Sequence, residues 1–400
     1  MHPNVPHLRF PEFHGEWEKC KLGDIATLTK GSGISKDQRS ATGTPCILYG
    51  ELYTTYKSEV INYVVSKTDI SDKNLVRSCA NDIIIPSSGE TAIDISTARC
   101  VLSPDVLLGG DLNIIRLKDG DGRFFSYQLN GVRKHDIAKI AQGVSVVHLY
   151  GESIKGLTVS FPSNKEQQKI STLLSLIDER IATQSKLIEK LESLIKGLND
   201  SLYAQYGGKV LTSFAELGTS YSGLSGKSAQ DFGSGKPFIT YLNVYSNNVI
   251  NENEFQYVAI KDDEKQNVAE YGDVLFTLSS ETPREVGIGS VYLGKEKVYL
   301  NSFCFGIHIT NAEIAFPPYL SYYVSSTPFR KFVYPYAQGS TRFNLCKADF
   351  EKASIKLPTL ENQKRIYSIL SHIDNKIITE RQMLDLYNSQ KQYLLRQMFI

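Results

Sequence analysis

Two short motifs in the chain contain residue types that could do chemistry, but each lacks a group that the chemistry needs. Phe316-Pro317-Pro318-Tyr319 has the form of the Asn/Asp-Pro-Pro-Tyr loop of amino-methyltransferases, whose first residue accepts a hydrogen bond from the target amine. Phenylalanine cannot accept that bond. Gly226-Lys227-Ser228 matches the end of a phosphate-binding loop, but Tyr221 stands where that loop needs its first glycine. The sequence therefore predicts neither methyl transfer nor nucleotide binding at these motifs.

Nuclease chemistry needs paired carboxylates with a lysine, or a histidine cluster, to hold its metal ion. The sequence contains no such set at a suitable spacing, and its seven histidines are dispersed. His148, near the end of the first half, corresponds to Asn344 in the second half, which favours a polar contact over a catalytic base. We therefore predict a binding protein that has no catalytic residue, metal or cofactor of its own.

Composition is that of an ordinary globular protein. The 400 residues are 41% apolar and 22% charged, enough for two or three domains with real cores. The six cysteines are too scattered for a zinc site or a disulfide framework, which favours the cytoplasm. We expect no signal peptide and no membrane segment, because no apolar run is long enough. The net charge of +1 leaves nucleic-acid binding open.

The element that must position any binding residues is a long amphipathic helix predicted over 162–206. Ser163 and Glu166 have the spacing of a capping box, which indicates its start. Apolar residues recur on one stripe, interrupted at Gln184. They are Ile170, Leu174, Ile177, Ile181, Ile188, Leu191, Ile195, Leu198 and Leu202. Such a helix would be about 60 Å long, so we expect it to lie between domains.

The same helix occurs again over 357–400. A constant offset places Ala141 on Ala337 and Pro162 on Pro358 without a gap, and Glu380 repeats the break at Gln184. The second stripe contains Ile366, Leu370, Ile373, Ile377, Leu384, Tyr387, Leu394 and Met398, with Lys391 standing where the first copy has Ile195. A seam broken at the same place twice predicts that the two helices pair, with polar positions helping to set register. The alternative is that each stripe packs only on its own globular neighbour.

A globular region of mixed α and β character precedes each helix, and the two regions match only loosely. Asp82-Ile83-Ile84 is echoed by Asp273-Val274-Leu275, and Ser88-Gly89-Glu90-Thr91 by Ser279-Ser280-Glu281-Thr282. Because the helices match closely while the globular regions differ, we interpret the two regions as readers of different targets. Drift without functional pressure is the alternative.

In the order of four of its segments, the chain resembles the specificity (S) subunit of type I restriction-modification systems, over essentially its whole length. The segments are Trp17-Glu18-Lys19-Cys20-Lys21-Leu22-Gly23-Asp24-Ile25, Phe161-Pro162-Ser163-Asn164-Lys165-Glu166-Gln167-Gln168-Lys169-Ile170, Ala337-Gln338-Gly339-Ser340-Thr341-Arg342-Phe343-Asn344-Leu345 and Leu357-Pro358-Thr359-Leu360-Glu361-Asn362-Gln363-Lys364-Arg365-Ile366. The first half departs from the pattern at Val144-Ser145-Val146-Val147-His148, where the second half has Ser340-Thr341-Arg342-Phe343-Asn344.

The resemblance implies an α+β fold with internal two-fold pseudo-symmetry. Target-recognition domains at 1–161 and 207–356 would be separated by spacer helices at 162–206 and 357–400, which form an antiparallel coiled coil. Each domain would read one half of an asymmetric bipartite target in double-stranded DNA. The helices would set the spacer and dock two methyltransferase subunits, through which restriction/translocase subunits join. S-adenosylmethionine, ATP and Mg²⁺ would belong to those partners, and this chain would be no enzyme.

Polar and basic loop residues are the candidates for contacts with phosphates and base edges. In the first domain they are Lys30, Ser32, Lys36, Ser87, Ser88, Glu90, Arg99, Ser145 and His148; in the second they are Lys227, Ser279, Ser280, Arg284, Gln338, Ser340, Thr341, Arg342 and Asn344. Arg342 is the strongest candidate, because the resemblance covers it. The alternative functions are a self-contained restriction-modification enzyme, a specificity subunit of another restriction-modification type with a separately encoded catalytic chain, and a coiled-coil scaffold that binds only protein.

Overall fold

The computed structural model describes residues 4–71 and 74–400. They form two compact units: unit 1 comprises Met1–Lys186 and Gln382–Ile400, and unit 2 comprises Leu187–Arg381. No helix among the described residues is both long enough and apolar enough to cross a membrane. The helices are α1 (Leu22–Ile25), α2 (Glu51–Thr54), α3 (Ala92–Ile95), α4 (Gly122–Asn130), α5 (Lys134–Ile140), α6 (Gly151–Lys155), α7 (Asn164–Tyr206), α8 (Phe214–Leu217), α9 (Tyr241–Ser246), α10 (Pro317–Tyr323), α11 (Thr327–Val333), α12 (Lys347–Lys352) and α13 (Leu360–Gln397).

Unit 1 is built around a five-stranded sheet whose central strand is buried on both faces. Its strands are β1 (Glu18–Lys21), β2 (Ala26–Lys30), β3 (Arg39–Ser40), β4 (Thr44–Ile47), β5 (Val60–Ile61), β6 (Ser66–Thr68), β7 (Asp82–Pro86), β8 (Ser88–Gly89), β9 (Arg99–Val101), β10 (Leu107–Leu108), β11 (Leu112–Leu117), β12 (Val147–His148) and β13 (Thr158–Phe161). The sheet order is β2-β11-β7-β9-β5, and a four-stranded sheet has the order β10-β4-β6-β3. Ile83, Ile84 and Ile85 are fully buried. Because both faces of β7 are covered, the strand has consecutive apolar side chains and not an alternating pattern.

Unit 2 repeats this plan with fewer strands in its central sheet. Its strands are β14 (Val210–Thr212), β15 (Gly218–Ser222), β16 (Phe232–Ile239), β17 (Gln256–Val258), β18 (Val274–Thr277), β19 (Ser279–Ser280), β20 (Gly289–Val291), β21 (Tyr299–Leu300), β22 (Cys304–Ile309), β23 (Ala337–Gln338), β24 (Phe343–Leu345) and β25 (Ile355–Leu357). The central order is β15-β22-β18-β20, which matches β2-β11-β7-β9 of unit 1. The pseudo-symmetry predicted from the sequence is therefore present in the topology.

The long helices pack together in both units. In unit 1, Ile170 and Leu174 of α7 share one apolar cluster with Leu394 of α13. In unit 2, Leu202 of α7 shares a cluster with Ile366 and Leu370 of α13. The start of each helix thus meets the end of the other, which confirms the predicted antiparallel pair. The same clusters contain residues of the sheets and short helices, so the apolar stripes also pack on their globular neighbours.

The beginning of each long helix is held by a buried glutamine. Gln167 donates from Nε2 to the Pro162 carbonyl at 2.8 Å and accepts at Oε1 from the Asp121 N–H at 2.9 Å. Gln363 repeats both bonds with Pro358 (3.0 Å) and the Phe316 N–H (2.8 Å). These bonds fix the direction in which each helix leaves its own domain.

A second polar contact at the start of α7 differs from the sequence prediction. The Glu166 carboxylate, predicted to close a capping box with Ser163, accepts from Nε and Nη2 of Arg9, both at 2.8 Å. Glu166 is therefore held by an ion pair with the N-terminal segment, a long-range contact that residue spacing cannot predict.

Candidate nucleic-acid interface

In unit 2, several predicted contact residues meet on one small sheet. Strand β24 pairs with β19, so that Asn344 faces Ser279, and with β23, so that Asn344 also faces Gln338. Gln338 and Asn344 are exposed, whereas Ser279 is buried. Gln338 and Asn344 thus form a polar surface on a small sheet that also contains the buried Ser279.

A tight turn between β23 and β24 presents the remaining residues of this group. Gly339 has a φ of +140°, and a Cβ at this position would lie 2.1 Å from the carbonyl oxygen of Arg342. Only glycine fits such a turn without strain. Ser340, Thr341 and Arg342 follow it and are all exposed. The glycine therefore holds three potential hydrogen-bonding side chains at the tip of a hairpin.

Beside this turn lies a cleft of about 410 Å³, lined by Tyr241, Leu242, Tyr245, Ser279, Ser280, Glu281, Glu285, Phe303 and Arg342. The guanidinium carbon of Arg342 lies 6.0 Å from the ring centroid of Phe303, within cation–π range. Tyr241 donates from its hydroxyl to the Ser279 carbonyl at 2.8 Å, and its ring stacks on that of Tyr245. The cleft thus combines the exposed ring of Phe303 and the half-buried rings of Tyr241 and Tyr245 with a basic side chain.

Glu285 organises the floor of this cleft. Its carboxylate accepts hydrogen bonds from the hydroxyls of Tyr245 (2.7 Å), Thr282 (2.8 Å) and Ser280 (3.0 Å). The bond from Tyr245 is the main reason that the pKa of Glu285 is lowered, followed by those from Thr282 and Ser280. Glu285 therefore stays ionised and uses its acceptors within the fold. Arg284, a predicted contact residue, is exposed in the same loop.

Unit 1 has the corresponding surface in a shorter form. Strand β12 pairs with β8, so that His148 faces Ser88, as Asn344 faces Ser279 in unit 2. His148 is exposed and stacks on Tyr150 with 6.2 Å between ring centroids. Ser145 and Glu90 are exposed beside this pair, whereas Ser87 is buried.

The turn of this hairpin differs from its counterpart in chemical character. Gly143 has a φ of +121°, and a Cβ there would lie 2.2 Å from the Val146 carbonyl oxygen, so the two turns have the same geometry. Val144 is 97% exposed and Val146 52%, at the positions of Ser340 and Arg342 in unit 2. One hairpin tip is therefore apolar and the other polar and basic.

A second group of predicted residues in unit 1 is only partly available to a ligand. Lys36 is exposed and lines a cleft of about 1050 Å³ with Arg39 and Tyr49. Lys30, at the end of β2, is also exposed. Ser32 instead accepts a hydrogen bond at Oγ from the Val76 N–H at 2.7 Å, which gives it a role within the fold.

Two predicted contact residues are buried and committed to other partners. Arg99 is 7% exposed and donates to the carbonyls of Leu52 (3.0 Å) and Tyr56 (2.8 Å), so its guanidinium supports the fold of unit 1. Lys227 donates to the Ala259 carbonyl at 2.7 Å and pairs with Glu264 at 2.5 Å, with 7% of its side chain exposed. Neither cation is accessible, which corrects the expectation that both lie free in loops.

Sequence reasoning missed Glu285, Phe303 and the Tyr241–Tyr245 pair. The spacing of the two tyrosines, four residues apart, is a helical signal that places both rings on one face. No comparable signal marks Phe303, whose 56% exposure becomes evident only in the folded chain.

Known proteins match the chain along almost its full length. A family model described as the type I restriction modification DNA specificity domain matches residues 14–193 and 219–386. A putative type I restriction enzyme MjaX specificity subunit of Methanocaldococcus jannaschii is 25% identical, over 94% of this chain and 91% of that protein. The crystal structure of a type I restriction-modification S subunit from M. genitalium matches with a TM-score of 0.59 at 16% identity, covering 99% of both chains. A chain from a structural study of complex assembly and conformational transition in a type I system has a TM-score of 0.58 at 15% identity, covering 95% of this chain and 96% of that chain.

Proposed function

Since this chain belongs to the family of type I restriction modification DNA specificity proteins, we propose that its two target-recognition domains each read one half of an asymmetric bipartite DNA sequence. The proposed domains are residues 1–161 and 207–356. The observation that carries the proposal is the pair of equivalent hairpins, one following Gly143 and the other following Gly339. They occupy the same position in each unit and present different side chains, as two readers of different half-sites require.

The side chains at the two hairpin tips favour different bases. Arg342 can donate two hydrogen bonds to O6 and N7 of guanine in the major groove. Val146, at the corresponding position of unit 1, can instead pack against the methyl group of thymine. Lys36, Arg39 and Arg284 are exposed, and they would neutralise phosphates and hold the domains on the duplex without reading sequence.

The helix pair, proposed to span 162–206 and 357–400, would fix the spacer between the half-sites and dock the catalytic partners. The residues of the two apolar stripes, which were named in the sequence analysis, are buried or half-buried. Large apolar residues on other faces of the same helices remain exposed: Leu176, Leu187, Leu194, Ile369, Ile378, Met383, Leu386 and Tyr393. Exposed apolar residues repeated along a helix are typical of a protein-binding face. We propose that they receive two methyltransferase subunits, to which restriction/translocase subunits bind.

In this proposal the chemistry belongs to the partner subunits. They would bind S-adenosylmethionine, ATP and Mg²⁺, methylate adenine N6 and translocate or cleave DNA. This chain would recognise the DNA target sequence and take no part in the chemical reactions.

Mapping of methylated sites in a host that carries this chain with its methyltransferase tests the proposal. The expected result is a bipartite motif whose two halves differ. A matched insertion of one heptad in α7 and α13 should lengthen the spacer by about three base pairs, since seven helical residues add about 10 Å. The half-sites should stay unchanged. Altered bases within a half-site would contradict the spacer role, and methylation without a bipartite motif would contradict the proposed function.

A further inference from the structure

The two units differ at a buried charge cluster between α7, α13 and the recognition domain. In unit 1, Nζ of Lys391 lies 2.6 Å from Oδ1 of Asp178 and also pairs with Glu59. The Tyr127 hydroxyl donates to Oδ2 of Asp178 at 2.7 Å. Lys391, Asp178 and Glu59 are all less than 9% exposed. The lysine cation thus neutralises carboxylates that are almost completely buried.

Unit 2 keeps the carboxylate of this cluster but has lost the cation. The offset that relates the two helices places Asp374 on Asp178 and Ile195 on Lys391. Tyr322 donates to Asp374 as Tyr127 does to Asp178. Among the residues that the structure describes, no basic side chain forms an ion pair with Asp374; Arg381, which lines the same cleft, pairs with Glu192 at 2.6 Å.

The other charged members of the cluster have also been replaced in unit 2. The carbonyl of Glu59 accepts from the Cys100 N–H, and the carbonyl of Asn248 accepts from the Val291 N–H, so Asn248 stands where Glu59 does. Arg99 also belongs to the cluster: burial lowers the pKa of its guanidinium, and the charges of Glu59 and Asp178 oppose this. The same strand register places Ser290 at the position of Arg99. The net charge at these four positions is therefore zero in unit 1, where they hold Lys391, Asp178, Glu59 and Arg99. It is −1 in unit 2, where they hold Ile195, Asp374, Asn248 and Ser290.

Space for the missing cation is present. A cleft of about 700 Å³ opens beside Asp374, and Ile195, Asn248, Tyr322 and Ile378 are among the residues that line it. Burial is the main reason that the pKa of Asp374 is raised, and the Tyr322 hydroxyl and the charge of Arg381 oppose this rise only in part. Ile378 is 54% exposed, so the cleft is continuous with the apolar helix face proposed above to receive a methyltransferase.

We propose that this cleft receives a lysine or arginine side chain of the methyltransferase subunit, whose cation pairs with Asp374 as Lys391 pairs with Asp178. The inference rests on the proposed docking of methyltransferase subunits to the helix pair. A metal ion fits less well, because no group of three or more His, Cys, Asp or Glu residues among the described residues is placed to hold one. A basic side chain needs only the carboxylate and the apolar wall that its stem would cover.

Titration of the full-length chain with its methyltransferase tests the inference. Asp374→Asn keeps an acceptor for the Tyr322 hydroxyl but removes the charge, and it should weaken one of the two expected binding steps about tenfold or more. Ile195→Lys should weaken the same step, because the new ammonium would neutralise Asp374 from within, as Lys391 does in unit 1. Asp262→Asn, which removes an exposed carboxylate that does not line the cleft, should bind like the wild type and serves as the control.

The outcomes separate the two proposals. Unchanged affinity in both Asp374→Asn and Ile195→Lys, with melting temperatures that show intact folds, would overturn the inference while the docking proposal stands. A wild-type chain that binds no methyltransferase would overturn the docking proposal itself. If Asp374→Asn fails to fold, Ile195→Lys alone decides, because it leaves the carboxylate and its tyrosine partner in place.

Discussion

Nδ1 of His308 lies 2.9 Å from Oδ1 of Asp273 in the central sheet of unit 2. The register of the central strands places this pair on Arg116 and Asp82 of unit 1, where the guanidinium donates to both carboxylate oxygens at 2.8 and 2.7 Å. The Tyr221 ring stacks on His308, and its hydroxyl donates to Oδ2 of Asp273 at 2.7 Å. One copy thus has a permanent cation where the other has an imidazole ring.

His308→Arg should stabilise unit 2 by giving Asp273 the partner that Asp82 has. Burial raises the pKa of Asp273, so the folded state favours the protonated carboxyl group. The stability that this group contributes to the folded state is therefore lost as pH rises through the folded-state pKa of Asp273. A permanent cation offsets this loss, and the gain should be larger near pH 8 than near pH 4. We expect about 1 kcal/mol and a rise of about 2–4 °C in melting temperature at neutral pH. Calorimetry at both pH values measures it.

The reverse change, Arg116→His, is the matched control and should lower the melting temperature at neutral pH. Equal melting temperatures for His308→Arg and the wild type across this pH range would show that Asp273 needs no stronger partner.

Arg342→Ala should lower sequence discrimination by unit 2. If the guanidinium reads guanine, its loss costs about 1–3 kcal/mol for the cognate duplex and little for a scrambled one. If it contacts a phosphate, both duplexes lose affinity alike and the salt dependence weakens. Gel-shift titration against cognate and scrambled duplexes separates these cases. Unchanged affinity for both would remove Arg342 from the interface.

Val146→Ala should reduce recognition of a thymine methyl group by unit 1. The matched substitution on the DNA is thymine to uracil, which removes only that methyl. The wild type should lose about 0.8 kcal/mol of binding on uracil, and Val146→Ala should lose less, so the two losses are not additive. Binding titrations with single thymine-to-uracil changes locate the base. Additive losses at every thymine of the half-site would rule out this contact.

Lys391→Met should strongly destabilise unit 1, because it leaves Glu59 and Asp178 buried without their cation. Removal of one partner from a buried ion pair costs about 3–5 kcal/mol. Chemical denaturation of the full chain should show an earlier unfolding transition for unit 1 than in the wild type. Lys155→Met, which removes a lysine of unit 1 whose ion pair with Glu152 is exposed on both sides, should have a much smaller effect. A similar loss in both variants would contradict the role given to burial.

The helix pair and the internal repeat could be predicted from the sequence because their signals are local. The apolar stripe needs only the spacing of residues such as Ile170 and Leu174, and the duplication needs only a constant offset. Whether a particular side chain is exposed and free to contact DNA could not be predicted in this way. Arg99 bonds to carbonyls more than forty residues away, and Lys227 to a carboxylate 37 residues away, so their burial is a tertiary property.

The same limit applies to the cleft beside Arg342. Tyr241, Phe303 and Glu285 come from three separate segments, and their convergence depends on the sheet that joins them. The polar motif Ser279-Ser280-Glu281-Thr282 was recognisable as a repeat, whereas the role of Glu285 as acceptor for three hydroxyls was not. Sequence patterns therefore proposed candidate contact residues around this cleft but not the groups that shape it.

The glutamines at the beginnings of α7 and α13 bond to main-chain atoms of the domains that precede them: Gln167 to the Pro162 carbonyl and the Asp121 N–H, Gln363 to the Pro358 carbonyl and the Phe316 N–H. A main-chain carbonyl is present in every residue and a main-chain N–H in every residue except proline, so this joint places almost no demand on the identity of residues in the reading loops. A recognition domain could be exchanged as a cassette between chains of this architecture and still leave its helix in the same direction. New specificities would then arise by recombination at the joint, without any redesign of the helices.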